Sequence, residues 1–267
     1  MTKFLEDGRV VGQRRRAEEA DRQLMTSLSH DIRIMEIWSP QVAASAEPGQ
    51  FVTVKSNDLS VPLLRRPFGV SGVNRDKGTF LLIYRIVGEA TQLLDQLRKG
   101  DSISVMGPLG RGFDRSHHKV LLVGGGVGLA PLRFLAEDYP QADVDVLIGA
   151  RTAEELFWTD LFRDKTVHQF ETTEDGSRGT KGLITAPLGQ LLDEGGYDCV
   201  YVCGPSPMMR AVTKVVEPRG IPCQISLEKY MGCGLGACLS CTCSGIGKRV
   251  KVCKDGPVFW SREVSEW

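Results

Sequence analysis

The placement of cysteine constrains this chain more than any other feature. Of eight cysteines none precedes Cys199, and five lie from Cys233 to Cys253. A disulfide framework spreads its cysteines through a small secreted fold, whereas a tight group at one end of a long chain points to metal. In Cys233-Gly-Leu-Gly-Ala-Cys238-Leu-Ser-Cys241, with Cys253 further on, the spacing is C-x4-C-x2-C plus a distant fourth thiol, the plant-type [2Fe–2S] arrangement. A loop around such a cluster turns its amides inward to the sulfurs, and Gly232, Gly234 and Gly236 permit that approach. Structural zinc prefers short pairs on both sides, and only Cys238 with Cys241 makes one. Iron–sulfur therefore leads, zinc and unligated thiols remain as alternatives, and Cys243 is left outside the ligand set.

The rest of the chain falls into segments. Residues 1–28, with Arg14-Arg15-Arg16, read as a charged tail. Residues 29–116 carry β-like runs at 30–38, 50–55, 79–87 and 102–106, separated by turns such as Asp76-Lys77-Gly78 and one helical stretch at 91–99. That pattern predicts an antiparallel β barrel. From 117 to 222, continuous apolar strands at 120–123, 144–148, 167–170 and 199–202 alternate with helical patterns such as 131–138 and 207–216. Such alternation predicts a doubly wound parallel sheet, an α/β domain following the barrel. Residues 223–267 are too few and too glycine-rich for a core of their own and need a cofactor as staple. With 33 basic against 33 acidic residues there is no field for nucleic acid. No apolar run reaches the ~18 residues of a membrane span, and the start has no secretory pattern, so a cytoplasmic protein is expected.

Three further motifs carry chemistry. In Val120-Leu-Leu-Val-Gly124-Gly125-Gly126-Val-Gly128-Leu-Ala-Pro131, a buried strand enters a glycine turn that opens a helix. Free amides at a helix's positive end suit a pyrophosphate, though a tight turn without ligand fits the same residues. In Tyr201-Val-Cys203-Gly204-Pro205-Ser206-Pro207-Met208, a loop leaves the carboxyl edge of the sheet, where α/β ligands bind. Cys203 is there either a small buried residue or one placed beside a nicotinamide. In the barrel, Arg66 and Arg85 suit phosphate, Tyr84 offers a ring face and Thr91 opens a helix; solvated arginines and a core tyrosine fit equally. His30, His117, His118 and His168 are scattered and form no hydrolase pattern.

Taken in order, these motifs resemble the ferredoxin–NADP+ reductase superfamily. Within it, Met231-Gly-Cys-Gly-Leu-Gly-Ala-Cys-Leu-Ser-Cys241, Val252-Cys-Lys-Asp-Gly-Pro-Val-Phe259, Met106-Gly-Pro-Leu-Gly-Arg-Gly-Phe113 and Thr173-Glu-Asp-Gly-Ser177 are similar to electron-transfer subunits of class-B dihydroorotate dehydrogenases. The resemblance covers about residues 29–260 and implies a β barrel binding FAD through Arg66, Pro67, Phe68, Gly69, Ile83, Tyr84, Arg85, Ala90 and Thr91. It places NAD(H) at Gly124, Gly125, Gly126, Gly128, Gly204, Pro205 and Met208, with Cys203 as the catalytic candidate. It assigns Cys233, Cys238, Cys241 and Cys253 to the [2Fe–2S] cluster. The implied reaction passes electrons between NAD and FAD, through the cluster, to FMN in a separate subunit that oxidises dihydroorotate, the two forming a heterotetramer of pyrimidine biosynthesis. The flavin motif often has Ser where this chain has Gly69, and Arg151, after the second strand, suits a 2′-phosphate. A sister ferredoxin reductase, glutamate synthase or sulfide dehydrogenase small subunit is the alternative, and a zinc-tipped nucleotide-binding module a further one.

Overall fold

The structure is a computed structural model that describes residues 3–14, 31–56, 62–140 and 143–266. Its first layer is one antiparallel sheet of seven strands: β1 (Phe4–Arg14), β2 (Ile32–Trp38), β3 (Phe51–Ser56), β4 (Arg66–Gly69), β5 (Gly72–Asn74), β6 (Thr79–Arg85) and β7 (Ser102–Leu109). The order is β4-β3-β7-β1-β2-β6-β5. Alternate residues point inward, so Met35, Ile37, Val52, Val54, Phe80, Leu82, Ile103 and Val105 share one buried cluster. The sheet curls until its two edge strands meet through Val70 and Ser71: Val70 N–H donates to Gln50 O and Ser71 N–H to Leu81 O. The barrel is therefore a half-barrel closed by a short turn. Helix α1 (Pro40–Ser45) buries Val42 and Ala43, and α2 (Glu89–Gln96) starts where the Thr91 hydroxyl accepts the N–H groups of Val87 and Gly88.

The charged-tail reading of residues 1–28 is corrected here. Phe4–Arg14 is an inner strand, pairing with β7 from Phe4 to Arg9 and with β2 from Arg9 to Arg14. Asp7 and Arg9 are exposed, half-buried Glu6 accepts a bond from the Ser39 hydroxyl, and among the described side chains of the strand only Gly8 and Val10 are fully buried. A Cβ on Gly8 would lie 3.0 Å from Ile37 Cγ2, so the inward position is small by necessity. Residues 15–30, including Arg15, Arg16 and His30 of the expected tail and first strand, lie outside the described residues.

The second layer is a sheet of β8 (Val120–Gly125), β9 (Val144–Ala150), β10 (Gln169–Thr173), β11 (Thr180–Lys181), β12 (Cys199–Cys203), β13 (Cys223–Ser226) and β16 (Val258–Trp260). The order is β11-β10-β9-β8-β12-β13-β16, parallel except for β16. Every residue of β8 and β12 is buried, as strands covered on both faces require. Helices α3 (Leu129–Asp138), α4 (Trp158–Phe162), α5 (Leu188–Gly195) and α6 (Ser206–Val216) supply those covers. From β8 the chain first builds outward through β9, then returns to β12 on the other side, leaving a crevice at the carboxyl ends of β8 and β12.

The expected domain break at residue 223 also moves. Cys223–Ser226 completes the parallel sheet beside β12, and Val258–Trp260 returns antiparallel to its outer edge. Between them β14 (Thr242–Gly245) and β15 (Lys248–Lys251) form a hairpin, joined by β17 (Val264–Glu266) and followed by the single turn α7 (Val252–Asp255). Burying Cys223 and Ile225 inside the sheet stabilises this arrangement more than a free glycine-rich tail could. Among the described residues, no helix is long and apolar enough to cross a membrane.

Candidate functional site

The crevice is built from two glycine turns in direct backbone contact. Strands β8 and β12 run in register with Cys203 opposite Gly124. A Cβ on Gly128 would sit 2.5 Å from Gly204 Cα, one on Gly124 would sit 2.6 Å from Leu129 Cδ2, and one on Gly125 would meet Met208 Sδ at 3.1 Å. Gly204, at φ +155°, would meet Met208 Cε at 2.7 Å. Gly126 differs: its φ is +58° and nothing lies within 4 Å of its missing Cβ, so its glycine serves conformation rather than packing. Pro205 directly precedes α6. Helices α3 and α6 both begin here, so their free N–H groups and positive dipole ends converge on one place, suited to a pyrophosphate. All seven glycine, proline and methionine positions expected for nucleotide fall in this crevice or at its rim.

Cys203, the catalytic candidate, is the last residue of β12 at the edge of this crevice. It is buried, its thiol is directed at the carbonyl of Ser226 at 3.8 Å, and burial, with the nearby Glu228 charge, pushes its pKa up. A protonated, packed thiol offers contact rather than nucleophilic chemistry. Glu228, which carries no sequence signal of its own, follows β13 at the same sheet edge and is exposed there. The signal was its place after a strand at the carboxyl edge, legible only once Cys223–Ser226 is known to be a strand. Arg151 follows β9 directly, with its guanidinium on Glu155, Nε to Oε1 at 2.9 Å, while its backbone N–H donates to Glu155 Oε2 at 3.1 Å.

In the barrel, Arg66, Pro67, Phe68 and Gly69 constitute β4, and Ile83, Tyr84 and Arg85 end β6. Phe68 and Tyr84 pack ring to ring at 5.5 Å, and the Tyr84 hydroxyl accepts a bond from Gln13 Nε2 at 3.0 Å. Tyr84 is only 2% exposed, so it is a core residue that presents at most one edge. Arg66 and Ala90 line one cleft with Val54, Lys55, Leu64 and Leu93, which brings the first residue of β4 to the start of α2. Arg66 donates to Leu64 O at 2.7 Å, while Arg85 pairs with Asp31 at 2.9 Å on a separate strand end. The cleft thus brings a guanidinium and a helix N-terminus together on apolar walls, donors of the kind that bind a flavin nucleotide's phosphates.

The thiol loop is organised by its own amides. The N–H groups of Leu235 and Cys238 donate to Cys233 Sγ at 3.3 and 3.4 Å, that of Cys233 to Cys238 Sγ at 3.4 Å, and that of Cys253 to Cys241 Sγ at 3.4 Å. The loop turns on Gly234, Gly236 and Leu239, at φ +70°, +84° and +64°. Contacts from the Ser240 hydroxyl, then from the Ser240 and Cys233 amides, bring the Cys238 thiol down to about 6. Burial raises Cys253 to about 12. The four thiols form two pairs, Cys233 with Cys238 and Cys241 with Cys253. Among the described residues, no three His, Cys, Asp or Glu side chains converge as a single-ion cage. Two thiol pairs with inward amides suit the two irons of a [2Fe–2S] cluster. Cys243 is buried on β14, which contains none of these four thiols.

Comparison with known proteins agrees with this geometry. Residues 228–265 match the family model of the iron–sulfur cluster binding domain of dihydroorotate dehydrogenase B. Residues 23–113 match an oxidoreductase FAD-binding domain and 122–214 an oxidoreductase NAD-binding domain. The chain is 38% identical over 238 residues to the dihydroorotate dehydrogenase B (NAD(+)) electron transfer subunit of Desulforamulus reducens, covering 86% of this chain and 91% of that one. It is 40% identical over 223 residues to the subunit of the same name from Caldanaerobacter subterraneus, covering 81% and 86%. Among solved structures, a chain of the NADH-dependent reduced ferredoxin–NADP oxidoreductase, studied for flavin-based electron bifurcation, superposes with a TM-score of 0.82. It is 31% identical, with 97% of this chain and 90% of that one covered.

Proposed function

Because the chain belongs to the family of dihydroorotate dehydrogenase B (NAD(+)) electron-transfer subunits, we propose that it carries electrons between NAD(H) and a catalytic partner in pyrimidine biosynthesis in the cytoplasm. The observation that carries this reading is the joining of a flavin cleft, a dinucleotide crevice and two thiol pairs in one chain. Nicotinamide exchanges two electrons together and an iron–sulfur cluster one, so a flavin between them supplies the conversion.

The chain's own residues have distinct tasks. Arg66 and the first amides of α2 bind flavin phosphates, with Thr91 holding that helix start in shape. Pro67, Phe68 and Gly69 border the ring, Ile83 and Tyr84 support it from β6, and Arg85 contributes positive charge at the strand end. The two glycine turns let backbone amides approach the dinucleotide's pyrophosphate, and Cys203, Gly204, Pro205 and Met208 floor the nicotinamide end. Cys233, Cys238, Cys241 and Cys253 hold the cluster, and the amides of the loop stabilise negative charge on their sulfurs.

An electron-transfer subunit requires a catalytic partner. We assign that role to an FMN-containing subunit that oxidises dihydroorotate, in a heterotetramer. Exposed Tyr230, Leu235 and Leu239, on the thiol loop and its approach, supply an apolar face for it. The bifurcating oxidoreductase chain favours a sister reading, transfer to ferredoxin. The test is an anaerobic absorption spectrum of the purified chain before and after NADH, then with dihydroorotate and the candidate partner. Flavin and sulfur-to-iron bands bleached by NADH, with dihydroorotate oxidised only when the partner is present, are expected. A zinc-containing colourless protein after reconstitution with flavin and iron refutes the relay, and reduction of ferredoxin without coupling to dihydroorotate favours the sister reading.

A further inference from the structure

Helix α3 opens on the glycine turn at its first residue and lies against the barrel about one turn later. On that flank the Arg133 side chain is 13% exposed and donates to Ser71 O at 2.8 Å, while its other terminal nitrogen meets Glu137 at 2.8 Å. Lys165 closes on the same carboxylate at 3.1 Å. Ser71 is the linker between β4 and β5, two residues beyond Gly69, and its own hydroxyl accepts the N–H of Ile83 at 3.2 Å. The fit has no slack: a Cβ on Gly72 would lie 2.6 Å from an Arg133 terminal nitrogen and 2.7 Å from Glu137. Two residues earlier on the same helix, Pro131 comes within 3.5 Å of the Cβ position of Gly69. A second set of ties, Tyr201 OH and Gln224 Nε2 to Asp114 O at 2.6 and 2.8 Å, holds the segment connecting the layers. The two layers are thus tied at two separate places, through Asp114 and through Arg133.

We propose that Arg133 is a positioning residue that holds the dinucleotide crevice at reacting distance from the flavin motif by gripping the Ser71 carbonyl. The proposal rests on the assignment of flavin to β4 and nicotinamide to the crevice. In the step concerned, a hydride leaves the dihydronicotinamide with two electrons and one proton, and the oxidised flavin accepts all three. Such a transfer needs the reacting atoms about 3–3.5 Å apart, and a misplacement of about 1 Å costs roughly a hundredfold in rate. The Arg133 side chain acts through the separation and touches neither reactant, so its loss should slow transfer while leaving dinucleotide affinity alone.

The test uses the full chain loaded with flavin and cluster, as wild type, Arg133→Met, Arg133→Lys and Glu137→Gln. Four quantities are read: the stopped-flow rate of flavin reduction by NADH, the NADH dissociation constant, the flavin potential, and amide hydrogen exchange over residues 69–74. For Arg133→Met the expected result is a rate lowered on the order of tenfold to a hundredfold, with affinity and potential unchanged and faster exchange over 69–74. Arg133→Lys, which keeps a charged donor, recovers part of the rate, and Glu137→Gln falls between it and wild type. An unchanged rate, a rate loss matched by an equal loss of affinity, or unchanged exchange over 69–74 overturns the proposal. If wild type itself takes no electrons from NADH, the cofactor assignment has failed, and the exchange comparison still decides whether Arg133 grips Ser71.

Discussion

Gly128→Ala concentrates the argument about the crevice in one methyl group. The Gly128 backbone sits at φ −60°, where alanine is at ease, so the cost of the substitution is steric. The new Cβ would stand 2.5 Å from Gly204 Cα, 2.6 Å from Gly204 N and 2.8 Å from Cys203 C, all backbone atoms. Ordinary contact begins at 3.4 Å, so the turns must part by about 0.9 Å. The loop after β12 cannot simply recede, because β12 is locked to β8 with Cys203 opposite Gly124, and Met208 Cε stands 2.7 Å from the Cβ position of Gly204. Overpacking of this kind costs about 1–3 kcal/mol, and alanine in place of glycine returns about 0.5–1 kcal/mol of backbone entropy. The chain should therefore lose roughly 1–2 kcal/mol of stability and, with the amides of the two turns drawn apart, more than tenfold in NADH affinity. Urea denaturation and NADH titration read the two effects, with Gly12→Ala as the control. Gly12 is a strand glycine with nothing within 4 Å of its missing Cβ, so its alanine variant should be at least as stable as wild type. If Gly128→Ala matches the control in both stability and affinity, the packed backbone contact is not what makes glycine necessary there.

Other residues give further tests. Burial raises the thiol of Cys199 to about 12, and those of Cys203 and Cys223 are raised as well. These groups keep their protons in the folded chain where the unfolded chain, with thiols near 8.5, gives them up. Their contribution is intact below about pH 8.5 and lost as pH rises toward 12. Urea midpoints should fall above that pH, and Cys199→Ala should flatten the fall by up to about 1.4 kcal/mol per pH unit; an unaltered slope refutes the assignment. Glu155→Gln frees the Arg151 guanidinium, and an exposed pair of this kind is worth at most about 1 kcal/mol. The ratio of NADPH to NADH turnover should rise up to about fivefold, and no rise removes Arg151 from the 2′ end of the dinucleotide. Gly69→Ser should leave stability within about 0.5 kcal/mol, because its Cβ meets Pro131 at an ordinary 3.5 Å; a larger loss in thermal unfolding contradicts that contact.

Much of the site could be read from the chain because its constraints are local. Gly124 to Gly128 follow an all-apolar strand, and Cys233, Cys238 and Cys241 lie within one turn-rich loop, so spacing carries the geometry. Where structure depends on distant partners, the reading failed. Among the described side chains of Phe4–Arg14 only Gly8 and Val10 are fully buried, and Gly8 is small because Ile37 and Val105 fill the space a side chain would take. No alternation of large apolar residues marks such a strand. Cys223–Ser226 reads as part of the cysteine tail because four residues cannot declare which sheet they join; β12 and β16 decide it from either side. Tyr84 offered a ring to a ligand by type, but its packing on Phe68 makes it principally core. Arg133 gave no sequence signal at all, since its partner is a backbone carbonyl in the barrel.

The return of β16 to β13 makes the order of synthesis matter. The thiol loop lies between two neighbouring strands of one sheet, and Leu227 N–H donating to Pro257 O clasps its two ends. The dinucleotide sheet accordingly has an open edge on the ribosome until residue 260 emerges, long after its glycine turns have been made. By then all four thiols of the loop have been made, and the strand that completes the sheet draws the two ends of their loop together.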